Sequence, residues 1–193
     1  MWRRLPWLTL LTGAVAVLIF LSAEVGASVL QWDREAFLGG AWWQALSAHW
    51  VHWNFEHLLW DLAMFGIVGS LVEIRSRKAW LRVIVVSVLA ISGAVLAFRP
   101  DLRFYRGLSG LDMALAAYWI FISFRESRRK GLNEQWLWGL GLVLLFSKAL
   151  FETALGKAIF VGDLGLGIQN VAMAHLVGAF VGVATAFAWK GPK

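Results

Sequence analysis

The sequence predicts an all-α membrane protein, a bundle of six transmembrane helices with both termini cytoplasmic. Three observations carry that expectation. Apolar residues make up 60% of the 193 positions and charged residues only 16%, against roughly 45 to 50% and about 25% in soluble domains, so too few charges exist to coat a water-facing surface. Six apolar runs approach the length that a hydrocarbon core of about 30 Å demands of a helix. Lys and Arg are spread unevenly over the alternating connections. The same composition excludes disorder. The absence of Cys removes a disulfide framework, a thiolate metal site and a Cys nucleophile. The net charge of +6 does not point to nucleic acid, because the basic residues sit between apolar runs and not on one soluble face.

The runs are 7–23, 55–72, 80–98, 108–124, 136–151 and 169–189. None alternates strictly as a barrel strand does, and lipid admits only helices or closed barrels. The first run lies between Arg3, Arg4 and Val25-Gly26-Ala27, a pattern that also fits a cleavable signal peptide, but a multispanning chain needs no separate signal. With the N-terminus inside, Arg3, Arg4, Arg75, Arg77, Lys78, Arg82, Arg125, Arg128, Arg129, Lys130, Lys190 and Lys193 fall inside. Arg34, Arg99, Arg103, Arg106, Lys148 and Lys157 fall outside. The excess lies inside, as the positive-inside rule requires. Runs two, four and six then all begin at the outer face. No linker or repeat divides the chain, so residues 1–193 are expected to form one domain. The longest connection, 24–54, holds Trp32, Trp42, Trp43, Trp50 and Trp53 and is read as partly embedded in the outer leaflet, since Trp favours the interface and a floppy loop this rich in Trp would aggregate.

Ionisable groups inside spans are costly and mark function by default. Here they gather at one depth: His52, Glu56, His57 and Asp61 at the start of run two, Ser109 and Asp112 at the start of run four, His175 near the start of run six. Ser109 lies in Gly107-Leu108-Ser109-Gly110. A serine in a span often only bonds the carbonyl one turn back. The flanking glycines, however, allow close backbone approach and free amide donors at a helix start, where the dipole favours a developing oxyanion. His175, Gly178 and Gly182 share one helix face, placing the imidazole above a groove of small residues. Alone, such a histidine is more often a tie between helices. Paired with Ser109 it forms the smallest useful nucleophile-and-base constellation. The His49 to Asp61 segment also offers histidines and carboxylates for zinc, but it lacks the HExxH arrangement, so no metal is expected.

These motifs resemble those of the rhomboid intramembrane serine proteases. Gly107-Leu108-Ser109-Gly110 matches the family's GxSG at the head of the fourth span, His175 with Gly178 and Gly182 matches its sixth-span histidine, and His52, His57 and Asp61 match the second-span HxxxxHxxxN pattern. The resemblance implies Ser109 as nucleophile, His175 as its base, and His57 with the Ser109 amide as oxyanion donors. The oxyanion and substrate-binding set is then His57, Asp61, His52 and Gly107. The short chain and the His49-Trp50-Val51-His52-Trp53-Asn54 wording look most like the rhombosortase branch, associated with proteins bearing a C-terminal Gly-Gly motif, a single span and a basic tail. Departures from the pattern are Asp61 for asparagine, Met113 where an aromatic often packs on the histidine, and Gln44 for arginine. A carboxylate only accepts when ionised, so Asp61 is expected either protonated or orienting His57. Asp112 lies outside the motif and either orients a histidine or bonds a neighbouring helix.

The implied activity is endoproteolysis of single-span membrane proteins in or beside their transmembrane segment, from the outer face of a bacterial inner membrane, with the lipid bilayer as partner and with no cofactor, metal or nucleic acid. The stretch Gly162-Asp163-Leu164-Gly165-Leu166-Gly167 is a candidate cap on the site. The rival readings are a rhomboid-like protein that binds clients without cutting them, and a small transporter or proton-conducting channel.

Overall fold

The computed structural model describes residues 5–155 and 171–188, and helix dominates them. α1 (Trp7–Leu21) leads into α2 (Ala23–Leu30), strand β1 (Trp32–Asp33), short helices α3 (Arg34–Leu38) and α4 (Gln44–Ser47), and a 3-10 turn (Ala48–Trp50). The long helices follow: α5 (Phe55–Arg75), α6 (Arg77–Phe98), then β2 (Phe104–Tyr105), α7 (Ser109–Arg129), α8 (Gln135–Leu155) and α9 (Ala172–Phe187). The glycine-rich candidate cap at 162–167 lies outside the described residues.

α5, α6 and α8 are long and apolar enough to cross a membrane; at 1.5 Å per residue each reaches about 32 Å. α1 and α9 are apolar but shorter, at 15 and 16 residues. α7 carries Asp112, Arg125, Glu126, Arg128 and Arg129, and its place in the bundle is internal. It buries Leu111, Ala114, Leu115, Ala117, Tyr118 and Ile122 and packs on α5, α6, α8 and α9. Three runs continue as helix beyond their expected ends, α5 to Arg75, α7 to Arg129 and α8 to Leu155. Charge ends an apolar run in the sequence, whereas a helix continues while its backbone is satisfied; Lys148 and Glu152 pair one turn apart on α8.

Several helix ends are satisfied by side chains, which answer the orphan amides and carbonyls a dry bundle leaves. Asn54 caps α5 by accepting from His57 N at 2.8 Å, and Ser76 caps α6 through Ala79 N at 3.2 Å. At α1 the cap comes from another helix: buried Glu73 of α5 accepts from Leu8 N, Thr9 N and Thr9 Oγ1 at 3.0, 2.8 and 2.9 Å. Arg125 closes the far end of α9 by donating to Ala186 O at 3.0 Å.

The 24–54 connection is ordered by its short helices and by pairing of β1 with β2, Trp32 against Tyr105 and Asp33 against Phe104, antiparallel. Trp32 is buried and stacks on Phe37 with centroids 4.4 Å apart, while Trp42 and Trp43 are exposed. This pairing ties the connection to the segment just ahead of Ser109. α7 and α9 meet backbone to backbone, for a Cβ at Gly178 would collide with the Gly110 carbonyl oxygen and one at Gly182 with that of Ala114. The small-residue face read from the sequence is therefore the seam that sets these two helices together.

Candidate active site

Ser109 is the first residue of α7 and half-buried; His175 stands on the first turn of α9 and is buried. Because the glycine seam brings the two backbones together, Ser109 Oγ lies 2.9 Å from His175 Nε2. On the other edge of the ring, Nδ1 lies 2.7 Å from Glu152 Oε2 of α8. A carboxylate oxygen only accepts, so Nδ1 carries the proton and Nε2 is left to accept from the serine hydroxyl. Lys148 Nζ, one turn back on α8, is 2.7 Å from both Glu152 oxygens.

α7 has no cap from its own sequence, since Leu108 supplies no side-chain acceptor. Asp61 of α5 provides one instead. Its Oδ2 accepts from Leu108 N at 2.8 Å and from Ser109 N at 3.1 Å, a carboxylate at the positive end of a helix. His52 Nε2 and His57 Nε2 reach the same oxygen at 3.1 and 3.4 Å. Three donor groups thus converge on one atom beside Ser109, with the His57 ring facing it. Gly107 closes this cluster with φ +129°, and a Cβ there would stand 2.9 Å from the His57 ring. Only glycine meets both demands.

A second network braces the loop that carries Gly107. Tyr105 OH donates to Gly107 O at 3.3 Å and lies 3.3 Å from His49 Nδ1; His49 Nε2 lies 3.2 Å from Ser92 Oγ of α6. Gly107 N donates to Ala48 O at 3.2 Å. Burial lowers the His49 pKa to about 4 and pushes the Tyr105 phenol up, so both serve as neutral struts at ordinary pH. Arg106 is buried over the Trp53 ring, 4.1 Å from its centroid, and donates to Gln31 Oε1 at 2.8 Å.

A family model, the Rhomboid domain, matches residues 39–191. The chain belongs to the rhomboid family. A curated relative, the rhomboid protease GlpG of Haemophilus influenzae, is 27% identical over 171 residues, spanning 83% of this chain and 87% of its own length.

In this rhomboid, Ser109, His175, His52, His57, Asp61 and Gly107 come together in one cluster. Asp112 is buried on α7 with Oδ1 unpaired among the described residues; the histidine contact considered for it is made by Glu152. Gln44 is buried and bonds Asp33 N at 2.9 Å. It braces the first connection from within. No group of three metal-ligating side chains occurs among the described residues. Glu152 is the residue sequence reasoning missed. Its signal was present as an acid one turn after Lys148 on an otherwise apolar helix.

Proposed function

We propose that this chain is an intramembrane serine endopeptidase that cuts membrane-anchored proteins in or next to their transmembrane segment. The observation that carries the reading is the 2.9 Å approach of Ser109 Oγ to His175 Nε2. In this reading, His175 Nε2 takes the hydroxyl proton as the oxygen attacks the scissile carbonyl, and the carbonyl electron pair moves onto oxygen. When the tetrahedral intermediate collapses, the C–N bond breaks and the same proton passes to the leaving amine. The amides of Ser109 and Leu108 and the His57 imidazole are the donors available to the oxyanion. To reach the amides, the substrate oxygen has to take the place of Asp61 Oδ2.

The surrounding reading is a single domain of six spans with both termini cytoplasmic, in a bacterial inner membrane with the site facing outward. The excess of Lys and Arg on one set of connections supports that orientation. The wording of the His49 to Asn54 segment supports the rhombosortase refinement: the substrates are single-span proteins whose C-terminal Gly-Gly sorting tails are removed. Coexpression with a protein bearing such a tail should shorten it at the C-terminus, and persistence of the full-length form would remove the refinement while leaving the protease.

A second reading has one observation in its favour. Asp61 holds the amides that an oxyanion needs, as a protein that binds clients without cutting them can tolerate. A serine-directed fluorophosphonate separates the two: labelling that disappears in Ser109→Ala belongs to an enzyme, and no labelling of the folded protein belongs to a binder.

A further inference from the structure

The His175 ring is gripped from both edges, by Ser109 at Nε2 and by Glu152 at Nδ1. We propose that Glu152 is a positioning residue for the His175 base, extending the Ser109–His175 pair of this chain into a three-residue line. The inference rests on the proteolytic reading above. Three features of the structure support it beyond the contact itself.

The first is where the carboxylate stands. Glu152 is fully buried near the end of α8, and a buried carboxylate carries a desolvation cost that an ion pair only partly offsets. An apolar residue would bind α8 to its neighbours at less cost. The second is Lys148, whose ammonium touches both carboxylate oxygens and pins the carboxylate in place against His175. During attack the serine proton moves to Nε2, while the Nδ1 proton stays on the ring and remains hydrogen-bonded to Glu152, so Glu152 itself neither gains nor loses a proton. The third is Met113, one turn beyond the nucleophile, which packs with Ala117, Ala149 and Ala179. No aromatic ring from that position fixes the imidazole plane. A 2.7 Å bond to a buried carboxylate does so, and it also fixes the tautomer.

The test uses the full chain in detergent micelles, with a fluorophosphonate as probe and its labelling resolved into a maximal rate and a half-saturating concentration. Wild type, Ser109→Ala, Glu152→Gln and Glu152→Asp are compared, each with its thermal unfolding midpoint. Glu152→Gln keeps the shape but offers His175 an amide in place of a carboxylate; the maximal rate should fall by ~10² or more, with half-saturation changed less than about threefold. Glu152→Asp keeps the charge and should restore labelling to within about tenfold of wild type, although it fits less well. A packing role predicts the reverse order, since the isosteric variant would then be the milder one, and that order would overturn the proposal. Labelling of Glu152→Gln at the wild-type rate, with labelling still dependent on Ser109, would overturn the Glu152 role alone. No Ser109-dependent labelling in wild type would overturn both it and the protease. Should the variants not fold, the 15N spectrum of the unmodified protein decides: His175 protonated at Nδ1 and bare at Nε2 is expected, and the opposite tautomer overturns the assignment.

Discussion

Asp61 Oδ2 lies 3.1 Å from the amide nitrogen of Ser109 and accepts its hydrogen. The same oxygen takes the Leu108 amide and faces His52 and His57, so a side chain from α5 both caps α7 and sits among the donors an oxyanion needs. In the proposed reaction a negative oxygen develops beside this carboxylate, and that proximity opposes it.

Asp61→Asn should therefore raise the rate of substrate cleavage. The amide oxygen can still accept from the two backbone N–H groups while the charge is gone, and its NH2 becomes one more donor. Steady-state rates for the variant check this. A fall of ~10² would mean that the carboxylate is required, in the manner of an orienting group for His57.

The seam between α7 and α9 gives a second expectation. Gly178→Val forces a side chain into the Gly110 carbonyl, and overpacking of this kind costs about 1 to 3 kcal/mol or more. Relief requires the helices to part, which lengthens the Ser109–His175 contact. Both the unfolding midpoint and Ser109-dependent labelling should fall together. Retained labelling at full rate would show that the pair does not depend on this approach.

His49 links stability to pH. Its folded pKa of about 4 lies below the ordinary 6.5, so the folded state binds its proton less readily than the unfolded chain. Stability is complete above pH 6.5 and declines as pH falls from there toward 4, by about 3 kcal/mol from this group. Unfolding midpoints measured across that window should drop in wild type and drop less in His49→Gln. Parallel curves would refute the assignment of the loss to His49.

Much of the site was legible because it rests on types of residue that a membrane span rarely tolerates. Ser109 and His175 stand out at matching depth, and Gly178 and Gly182 repeat on the face that must approach a neighbour. Glu152 escaped for a reason of boundary: the fifth run was ended at 151, where apolar character stops, while α8 continues to Leu155. One more turn of helix carries the acid to His175. The first connection was legible only as interfacial. The pairing of Trp32 with Tyr105 joins segments far apart in sequence across two-residue strands, too short to leave a period, and the capping of α7 by Asp61 is equally non-local. Asp61 was recognised as a departure from the family pattern, but a departure does not by itself say which donors it faces.

In the proposed reaction Ser109 attacks and His175 moves its proton. Release of a tagged single-span protein from vesicles containing the wild-type chain, Ser109→Ala or His175→Ala tests it most directly. Release is predicted in the wild type and lost in both variants, with each variant still folded in the bilayer. Unchanged release in both would rule out Ser109 as the nucleophile and His175 as its base.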